Sequence, residues 1–340
     1  MSSATTDTEG FTETAFLIRA FQVSKMLEVA ASIGLADCIG DEPRPFGELA
    51  GECNAHPAML VRLCRALAAF GIFSVDSEGY VGHTEKSRWL RINATPTLHY
   101  AARYWGLPST WAAWGNLEYA IRTGKAPFED IYGMPNFDYL SAHPQEASLF
   151  DAFMQHSPDD RHAAVAEAYD FSQARVVVDV GGGNGALLRA ILAMHPDVRG
   201  VLFDQESVVS GAVLGDYAKR CAIDPGSFFE RITLGGDIYT LSQILHDWSD
   251  ERCLQILGNC RSAMNDGGRV LVIERILDTT AGRTNAINFL ADMHMMVLFP
   301  GARERTPEEF TQLFTKAGFT APRIIPTRSV YCVLETRKAG

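Results

Sequence analysis

The sequence predicts an α/β fold, in which a Rossmann-like domain with a largely parallel sheet follows an N-terminal, all-helical winged-helix domain. Three observations lead to this prediction. From about residue 160 onward, candidate strands and helices alternate along the chain, which is typical of a parallel sheet. One candidate strand ends in a glycine-rich turn that begins at Gly181, as in folds that bind nucleotide-like cofactors. The first third of the chain instead contains helices followed by a short hairpin.

Length and composition limit the classes of protein that fit. The 340 residues suit two domains, since single cores usually stop growing at about 250–300 residues. The chain carries 30 Lys and Arg against 41 Asp and Glu, a net charge of −11, which disfavours a surface that neutralises nucleic-acid phosphates. Seven scattered cysteines without a Cys-x-x-Cys pair favour reduced thiols in a cytoplasmic protein. We expect neither a signal peptide nor a membrane-spanning segment.

The first domain is predicted over residues 13–105, after a disordered tail over residues 1–12. A long apolar helix ends near Gly34, and Pro57 opens another helix, as helix starts prefer. The hairpin follows at residues 72–81, with its turn around Gly79. Helix, turn, helix and hairpin together indicate a winged helix.

The remaining chain is predicted to contain a linking segment and the Rossmann-like domain. Residues 106–160 are rich in aromatic side chains and should form linking helices that contribute to a ligand pocket. Residues 161–340 form the second domain. Its predicted strands are 176–178, 200–204, 237–245, 269–274 and two antiparallel strands within 319–336. Its predicted helices are 186–194, 208–220, 250–264 and one that begins at Thr306 with a capping box to Glu309.

The glycine-rich turn is a candidate cofactor loop. Gly181, Gly183 and Gly185 permit a tight turn, and the following helix offers free amide groups. Asp204 lies about 20 residues further on, where cofactor ribose hydroxyls need an acidic partner. The turn alone does not separate a nicotinamide cofactor from S-adenosylmethionine. Asp179, two residues before the first glycine, favours the methyl donor because its carboxylate suits a cationic amino acid group.

A second motif places a histidine at the same edge of the sheet. The apolar run that begins at Leu241 ends in His246-Asp247-Trp248, at the carboxyl end of a strand, where open α/β folds bind ligands. A phenol has a pKa near about 10 and must lose its proton to become a good nucleophile. His246 is the candidate base, with Glu274 and Glu304 as candidates to orient it. Asp247 either joins this site or caps the next helix.

Together these motifs resemble the cation-independent, S-adenosylmethionine-dependent small-molecule O-methyltransferases, a group that includes plant caffeate-type and bacterial antibiotic-tailoring enzymes. The resemblance covers nearly the whole chain and implies a class I methyltransferase domain behind a dimerisation domain. Its motifs are Gly34-Leu35-Ala36-Asp37, Glu48-Leu49-Ala50, Leu63-Cys64-Arg65-Ala66-Leu67, Gly71-Ile72-Phe73, Asp179-Val180-Gly181-Gly182-Gly183, His246-Asp247-Trp248 and Glu304-Arg305-Thr306.

The resemblance implies a set of donor-binding residues. They are Asp179, Gly181, Gly183, Asp204, Ser227, Phe228 and Ser242. Relatives carry an aspartate at the position of Ser227, where it contacts the adenine amino group. Ser227 must therefore use its hydroxyl, a water molecule or no contact at all. Ser242 stands where plant relatives have lysine, and that contact runs through the backbone.

The resemblance also implies the acceptor site and the assembly. His246 would be the base, flanked by Glu274 and Glu304, and no metal would be required. The residues that would border the acceptor, each of which could equally be core, are Phe150, Met154, Asp247, Met293, Met296 and Phe299. The N-terminal domain would form a homodimer whose partner helix helps close the acceptor pocket.

The acceptor is expected to be a flat, hydroxylated aromatic molecule. Within the family, residues 236–239, 257–264 and 272–275 look closest to bacterial phenazine methyltransferases. Because His246 is present, oxygen is favoured over a ring nitrogen as the methylated atom. A hydroxyphenazine is the leading candidate, followed by a polyketide-type phenol or quinol.

Three other functions compete with this one. A nicotinamide-dependent oxidoreductase would explain the glycine turn but not His246-Asp247-Trp248. A ligand-sensing, DNA-binding regulator would explain the winged helix. However, residues 41–91 hold six Lys and Arg against seven Asp and Glu, which is too little positive charge for phosphate binding. A metal-dependent methyltransferase is disfavoured because the sequence shows no clustered acidic ligands.

Overall fold

The computed structural model describes residues 3–156, 160–278 and 286–340. It divides into two compact units. The helical unit contains Met1–Ala112 and Phe137–Pro158, and the sheet unit contains Ala113–Asn136 and Asp159–Gly340. The segment predicted to link two domains, residues 106–160, is thus shared between the units.

The α-helices and strands of the described residues alternate irregularly in the first half of the chain and regularly in the second. The helices are α1 (Ser3–Ser32), α2 (Leu35–Ile39), α3 (Phe46–Glu52), α4 (Pro57–Ala69), α5 (Glu85–Arg88), α6 (His99–Trp105), α7 (Pro108–Gly115), α8 (Leu117–Thr123), α9 (Pro127–Tyr132), α10 (Asn136–Ala142), α11 (Pro144–Gln155), α12 (Arg161–Ala168), α13 (Ala186–Met194), α14 (Glu206–Val209), α15 (Asp250–Ala263), α16 (Ala286–Leu298) and α17 (Pro307–Lys316). The strands are β1 (Arg44–Pro45), β2 (Phe73–Val75), β3 (Tyr80–His83), β4 (Val176–Val180), β5 (Arg199–Asp204), β6 (Cys221–Pro225), β7 (Ile238–Ser242), β8 (Arg269–Glu274), β9 (Arg323–Pro326) and β10 (Cys332–Arg337).

The helical unit has the element order predicted for a winged helix. Helix α4 begins with Pro57 in its first turn and buries Leu60, Cys64 and Leu67, which recur at helical spacing on one face. The hairpin of β2 and β3 follows, and β1 adds a third strand in the order β1-β3-β2. The helical unit therefore carries a small antiparallel sheet as well as helices.

Helix α1 begins earlier than the sequence suggested. A disordered tail was expected over residues 1–12, but the helix begins at Ser3. The side chains of Thr12 and Thr14 donate to the carbonyls of Thr8 and Gly10, one turn back. No proline interrupts this segment, so the helix extends through polar residues whose composition resembles a tail.

The sheet unit is built on one seven-stranded sheet in the order β6-β5-β4-β7-β8-β10-β9. The first five strands of that order are parallel, and β10 runs antiparallel between β8 and β9. Val178, Leu241 and Val272 on the central strands are fully buried. The predicted parallel sheet with a final antiparallel pair is confirmed, and the carboxyl ends of β4, β5 and β7 meet at one edge.

Two predicted elements differ from the structure. Residues 208–220 do not form one helix: α14 ends at Val209, and a 3-10 turn covers Gly215–Arg220. Gly211 lies in the break and Gly215 has a positive φ of 53°, which a continuous helix does not allow. Strand β7 ends at Ser242, not at residue 245, because Gln243 turns the chain with φ of 55°. Residues Leu245–Asp247 then form a 3-10 turn.

Within the parts of the chain that the structure describes, no helix combines the length and the apolar character needed to cross a membrane.

Candidate active site

The turn after β4 requires glycine for steric reasons. Gly181 has φ of 68°, a conformation that side chains disfavour. A Cβ atom on Gly181 would overlap the side chain of Ile244, and one on Gly182 would lie 2.6 Å from Asp179 Oδ2. The turn therefore leaves a cradle of bare backbone at the N-terminus of α13, where free amide groups favour a negatively charged ligand group.

Asp204, which is predicted to contact the cofactor ribose, lies against this turn. It ends strand β5, and its Oδ2 atom accepts a hydrogen bond of 2.9 Å from the backbone N–H of Gly183. Its Oδ1 atom accepts one of 2.7 Å from the N–H of Gln205. Burial raises the pKa of Asp204 above its usual range. The carboxylate thus lies directly beside the cradle.

Asp179 is a buried carboxylate with one unsatisfied oxygen. Its Oδ1 atom accepts a hydrogen bond of 2.7 Å from the hydroxyl of Thr240 on β7, whereas Oδ2 has no hydrogen-bond partner among the described residues. Burial raises the pKa of Asp179 to about 6. Buried polar atoms are nearly always paired, so this oxygen suits a ligand that donates hydrogen bonds or carries positive charge. The ammonium group of S-adenosylmethionine has both properties, and the cradle and Asp179 fit that donor.

The other predicted donor-binding residues lie near the same edge of the sheet. Phe228 is close to the glycine turn, since its ring lies 3.6 Å from the Cβ position of Gly181. The ring also packs edge-on against Trp248 at a centroid distance of 6.1 Å. Ser227 uses its hydroxyl locally, where it accepts a hydrogen bond of 3.3 Å from the N–H of Phe229. Ser242 ends β7 opposite Ile273.

His246 lies among three carboxylates. Its Nδ1 atom is 3.0 Å from Glu304 Oε1 and 3.7 Å from Glu274 Oε2. Its Nε2 atom is 3.4 Å from Asp247 Oδ1. Both glutamates are buried, while His246 and Asp247 keep 13% and 14% of their side chains exposed. The predicted grouping of His246, Glu274 and Glu304 is therefore present, and Asp247 belongs to it.

Burial and the neighbouring charges shift the pKa values of His246, Glu274 and Asp247. Burial of the His246 ring alone would lower its pKa, but the negative charges of Glu274, Asp247 and Glu304 raise it to about 10. Burial raises the pKa of Glu274 to about 7 and that of Asp247 to about 6. The imidazole is consequently a strong base, held by carboxylates that stabilise its protonated form.

Glu274 also shapes the turn that carries His246. Its Oε1 atom accepts hydrogen bonds from the backbone N–H groups of Ile244, Leu245 and His246, at 3.1, 2.9 and 3.4 Å. Strand β8 ends at Glu274, next to the end of β7. The Glu274 side chain can therefore accept the hydrogen bonds of the turn that follows β7. Glu274 therefore fixes the backbone as well as the charge around the ring.

The predicted acceptor residues fall in both units. Met293, Met296 and Phe299 belong to α16 or follow it, and each is only partly buried. Helix α16 is tied to the cluster because Asp292 Oδ1 accepts a hydrogen bond of 2.9 Å from the N–H of Glu304. Phe150 and Met154 lie on α11 in the helical unit, where the ring centroids of Phe150 and Tyr104 are 5.9 Å apart. Their assignment to an acceptor pocket stays a prediction.

A second histidine was missed by the sequence reasoning. His294 on α16 is buried, and its Nδ1 atom accepts a hydrogen bond of 3.1 Å from Trp114 Nε1. Burial and the charge of His246 lower the pKa of His294 to about 3, so this ring is neutral. The His246-Asp247-Trp248 motif identifies His246 in the sequence. The residues around His294 on α16 form no pattern that distinguishes it from a buried core residue.

The cluster also has the dimensions of a cation site. His246, Glu274 and Glu304 each offer one ligand atom, and these atoms lie within 4.8 Å of one another. Clustered acidic ligands were not recognised in the sequence because the three residues are far apart along the chain. Hydrogen bonding between Glu304 and Nδ1 accounts for the same arrangement without an ion.

Two family models match the chain. One describes an O-methyltransferase domain and covers residues 114–320, and the other describes an O-methyltransferase dimerisation domain and covers residues 16–92.

Individual relatives match over nearly the whole length. The phenazine O-methyltransferase of Lysobacter antibioticus is 36% identical over 325 residues, 94% of this chain and 94% of that protein. The 3-amino-4-hydroxybenzoate 4-O-methyltransferase of Streptomyces cremeus is 37% identical over 308 residues, 89% of this chain and 83% of that protein. A solved O-methyltransferase from neocarzinostatin biosynthesis, in complex with S-adenosylmethionine and 2-hydroxy-5-methyl naphthoic acid, has a TM-score of 0.80 and 31% identity, covering 93% of this chain and 96% of that one.

Proposed function

Because the chain belongs to the family of S-adenosylmethionine-dependent O-methyltransferases, we propose that it methylates a hydroxyl of a multi-ring aromatic natural product, with His246 as the general base. A hydroxyphenazine is the leading candidate for the acceptor. The relative from Lysobacter antibioticus, named for phenazine methylation, supports this choice. A polyketide-type phenol or quinol is the second candidate.

The observation that carries the proposal is the different surroundings of the two ring nitrogens of His246. Nδ1 lies 3.0 Å from Glu304 Oε1, which favours a proton on Nδ1 and leaves Nε2 as the basic nitrogen. Nε2 lies 3.4 Å from Asp247 Oδ1, and the Asp247 side chain is 14% exposed, whereas the two glutamates beside Nδ1 are buried. An acceptor hydroxyl that meets Nε2 can give up its proton there.

The residues divide the work between donor and acceptor. S-adenosylmethionine, when bound, supplies an electrophilic methyl group on its sulfonium. Asp179 would hold its ammonium group, the cradle at Gly181 its methionine portion and Asp204 its ribose. His246 Nε2 takes the proton from the acceptor O–H, the acceptor oxygen forms a bond to the methyl carbon, and the bond from that carbon to sulfur breaks. Glu304 and Glu274 stabilise the imidazolium that results.

The helical unit supports a homodimer. Helix α1 exposes Phe11, Phe16, Leu17, Ile18 and Phe21 to solvent in a single chain. Exposed apolar patches of this kind mark interaction sites, and the family model that covers residues 16–92 describes a dimerisation domain. A second copy of the chain is therefore the proposed partner of this helix.

The first test measures methyl transfer from labelled S-adenosylmethionine to hydroxyphenazines and polyketide-type phenols, with EDTA present, for wild type and His246→Ala. General-base catalysis contributes about 100- to 10,000-fold, so the variant should lose at least about 100-fold in kcat/KM, with the donor dissociation constant unchanged.

The outcomes separate the parts of the proposal. Equal rates for both proteins would overturn the role of His246, since proton removal would then need no base. Loss of wild-type activity in EDTA, restored by a divalent cation, would overturn the metal-free site. Activity on phenols but not on hydroxyphenazines would replace the leading acceptor by the second candidate.

A further inference from the structure

Arg305 contacts the backbone on both sides of His246 and Asp247. Its Nη1 atom donates a hydrogen bond of 2.8 Å to the carbonyl of Leu245, and its Nη2 atom donates one of 3.0 Å to the carbonyl of Trp248. These are the residues that immediately precede and follow the His-Asp pair. A single guanidinium thus bridges the turn that carries the proposed base.

The guanidinium itself is held firmly. Arg305 is fully buried, and Asp250 Oδ1 accepts hydrogen bonds from its Nε and Nη2 atoms, at 3.1 and 2.8 Å. A planar guanidinium offers five donors at fixed angles, whereas an ammonium group is a compact charge on a flexible stem. Only arginine can therefore serve the carboxylate and both carbonyls with one rigid group.

The turn is fixed from two opposite sides. Glu274 Oε1 accepts hydrogen bonds from N–H groups of the turn, as described above, and Arg305 donates hydrogen bonds to carbonyl groups of the turn. The N–H of Arg303 also donates a hydrogen bond of 3.0 Å to the carbonyl of His246, and Glu304 contacts the ring. The turn is therefore held by charge-assisted hydrogen bonds from Glu274 and Arg305 and by one backbone hydrogen bond from Arg303.

We propose that Arg305 is a positioning residue for methyl transfer, which acts through His246 by holding the turn so that Nε2 meets the acceptor hydroxyl. The inference rests on the proposed role of His246 as the base. A displacement of about 1 Å at a reacting group can cost about 100-fold in rate. Loss of the hydrogen bonds that the planar guanidinium makes to the turn should therefore impair proton removal more than donor binding.

The test compares acceptors that need a base with acceptors that do not. Arg305→Lys, His246→Ala and wild type are assayed on hydroxyphenazine, or on a naphthol if wild type prefers it, and on a nitro-substituted analogue that is ionised at the assay pH. Arg269→Lys is the matched control. Arg269 is also hydrogen-bonded, to Tyr169, but it begins β8 at the opposite edge of the sheet from Glu274.

Arg305→Lys should lose about 10- to 100-fold in kcat/KM on the protonated acceptor and less than about threefold on the ionised one. Its donor dissociation constant should stay within about twofold of wild type. His246→Ala should show the same selectivity, and Arg269→Lys should show none. General structural damage would lower kcat/KM equally on both acceptors. A loss confined to the protonated acceptor therefore separates a positioning role from a loss of stability.

Equal losses on both acceptors, or no loss, in Arg305→Lys would overturn the inference while a selective loss in His246→Ala still supported the base. No selective loss in His246→Ala would overturn both. If Arg305→Lys fails to fold, Asp250→Asn replaces it, because the Asp250 side chain is half exposed and its Oδ1 atom anchors the guanidinium of Arg305, while its Oδ2 atom pairs with Arg303. A selective loss of about 3- to 10-fold is expected there, and equal losses on both acceptors would overturn the inference.

Discussion

At the scale of single residues, the cluster around His246 gives the proposed base a pKa that matches that of the proposed phenolic acceptor. The carboxylates raise the pKa of His246 to about 10, and an ordinary phenol has a pKa of about 10. Proton transfer between groups of matched pKa costs little free energy. The same match means that most of the enzyme carries a protonated His246 at neutral pH, so the fraction with a free Nε2 limits the rate there.

This argument predicts how pH and Glu274 affect activity. Because the neutral ring is required and its pKa is raised, kcat/KM should increase with pH from 7 toward about 10. Glu274→Gln removes the largest of the charges that raise the pKa of His246, while its amide oxygen can still accept from the turn. The rising limb of the pH profile should therefore move to lower pH by at least about one unit.

Glu335→Gln is the control for this measurement. Glu335 is another buried carboxylate of the same sheet, paired with Arg323 and Arg269, and it should leave the rising limb in place. A profile that is flat between pH 7 and 9 in wild type, or unmoved in Glu274→Gln, would contradict the electrostatic account of the base.

The sequence predicted the members of the cluster more completely than the residues that support them. His246 and Glu304 belong to motifs and Glu274 ends a predicted strand, so they could be found. Thr240 and Arg305 act across the fold: Thr240 is 61 residues from its partner Asp179, and Arg305 is 60 residues from the Leu245 carbonyl. Such hydrogen bonds follow from strand order and register, which one sequence does not display.

At the scale of elements, the glycine turn between β4 and α13 should tolerate no side chain at its first position. Gly181→Ala forces an alanine into left-handed backbone, which costs about 1–2 kcal/mol, and its Cβ atom meets Ile244. The turn should open or shift, and the donor dissociation constant should rise at least about tenfold, as isothermal titration calorimetry would measure.

Gly258→Ala gives a matched control for this substitution. Gly258 lies within α15, and nothing is found within 4 Å of its Cβ position. Alanine there should leave donor binding unchanged and raise helix stability by about 0.5–1 kcal/mol. Unchanged donor affinity in a folded Gly181→Ala variant would show that the cradle does not contact the donor.

Elements whose boundaries depend on neighbouring residues could be predicted, whereas those that depend on distant strands could not. The capping box of α17 is confirmed, since Thr306 and Glu309 exchange hydrogen bonds at the helix start, and this motif lies entirely within four residues. Residues 208–220 have helical composition, but two glycines and the pairing of β6 with β5 break the segment. The end of β7 depends on Glu274, which comes from another strand, so its boundary was placed three residues too late.

At the scale of the whole molecule, the apolar side chains that α1 exposes are the reason to expect that the chain does not act alone. Leu17 and Ile18 expose 69% and 71% of their surface in a single chain. Burial of such a side chain contributes about 1.5–3 kcal/mol, and a symmetric dimer buries each residue twice. The sequence predicted this helix and its role, but only the structure shows which of its apolar side chains remain uncovered.

The double variant Leu17→Glu, Ile18→Glu should therefore dissociate the proposed homodimer. Glutamate keeps helix propensity close to that of leucine, so α1 should remain helical while its apolar contacts are replaced by like charges. The dimer dissociation constant should rise at least about 1000-fold, equivalent to about 4 kcal/mol, as sedimentation equilibrium would measure. Ile121→Glu is the control, because Ile121 is 65% exposed in the sheet unit and its replacement should leave the mass unchanged. A double variant that stays dimeric, or a wild type that is monomeric at micromolar concentration, would place the exposed apolar residues of α1 outside any stable interface between copies.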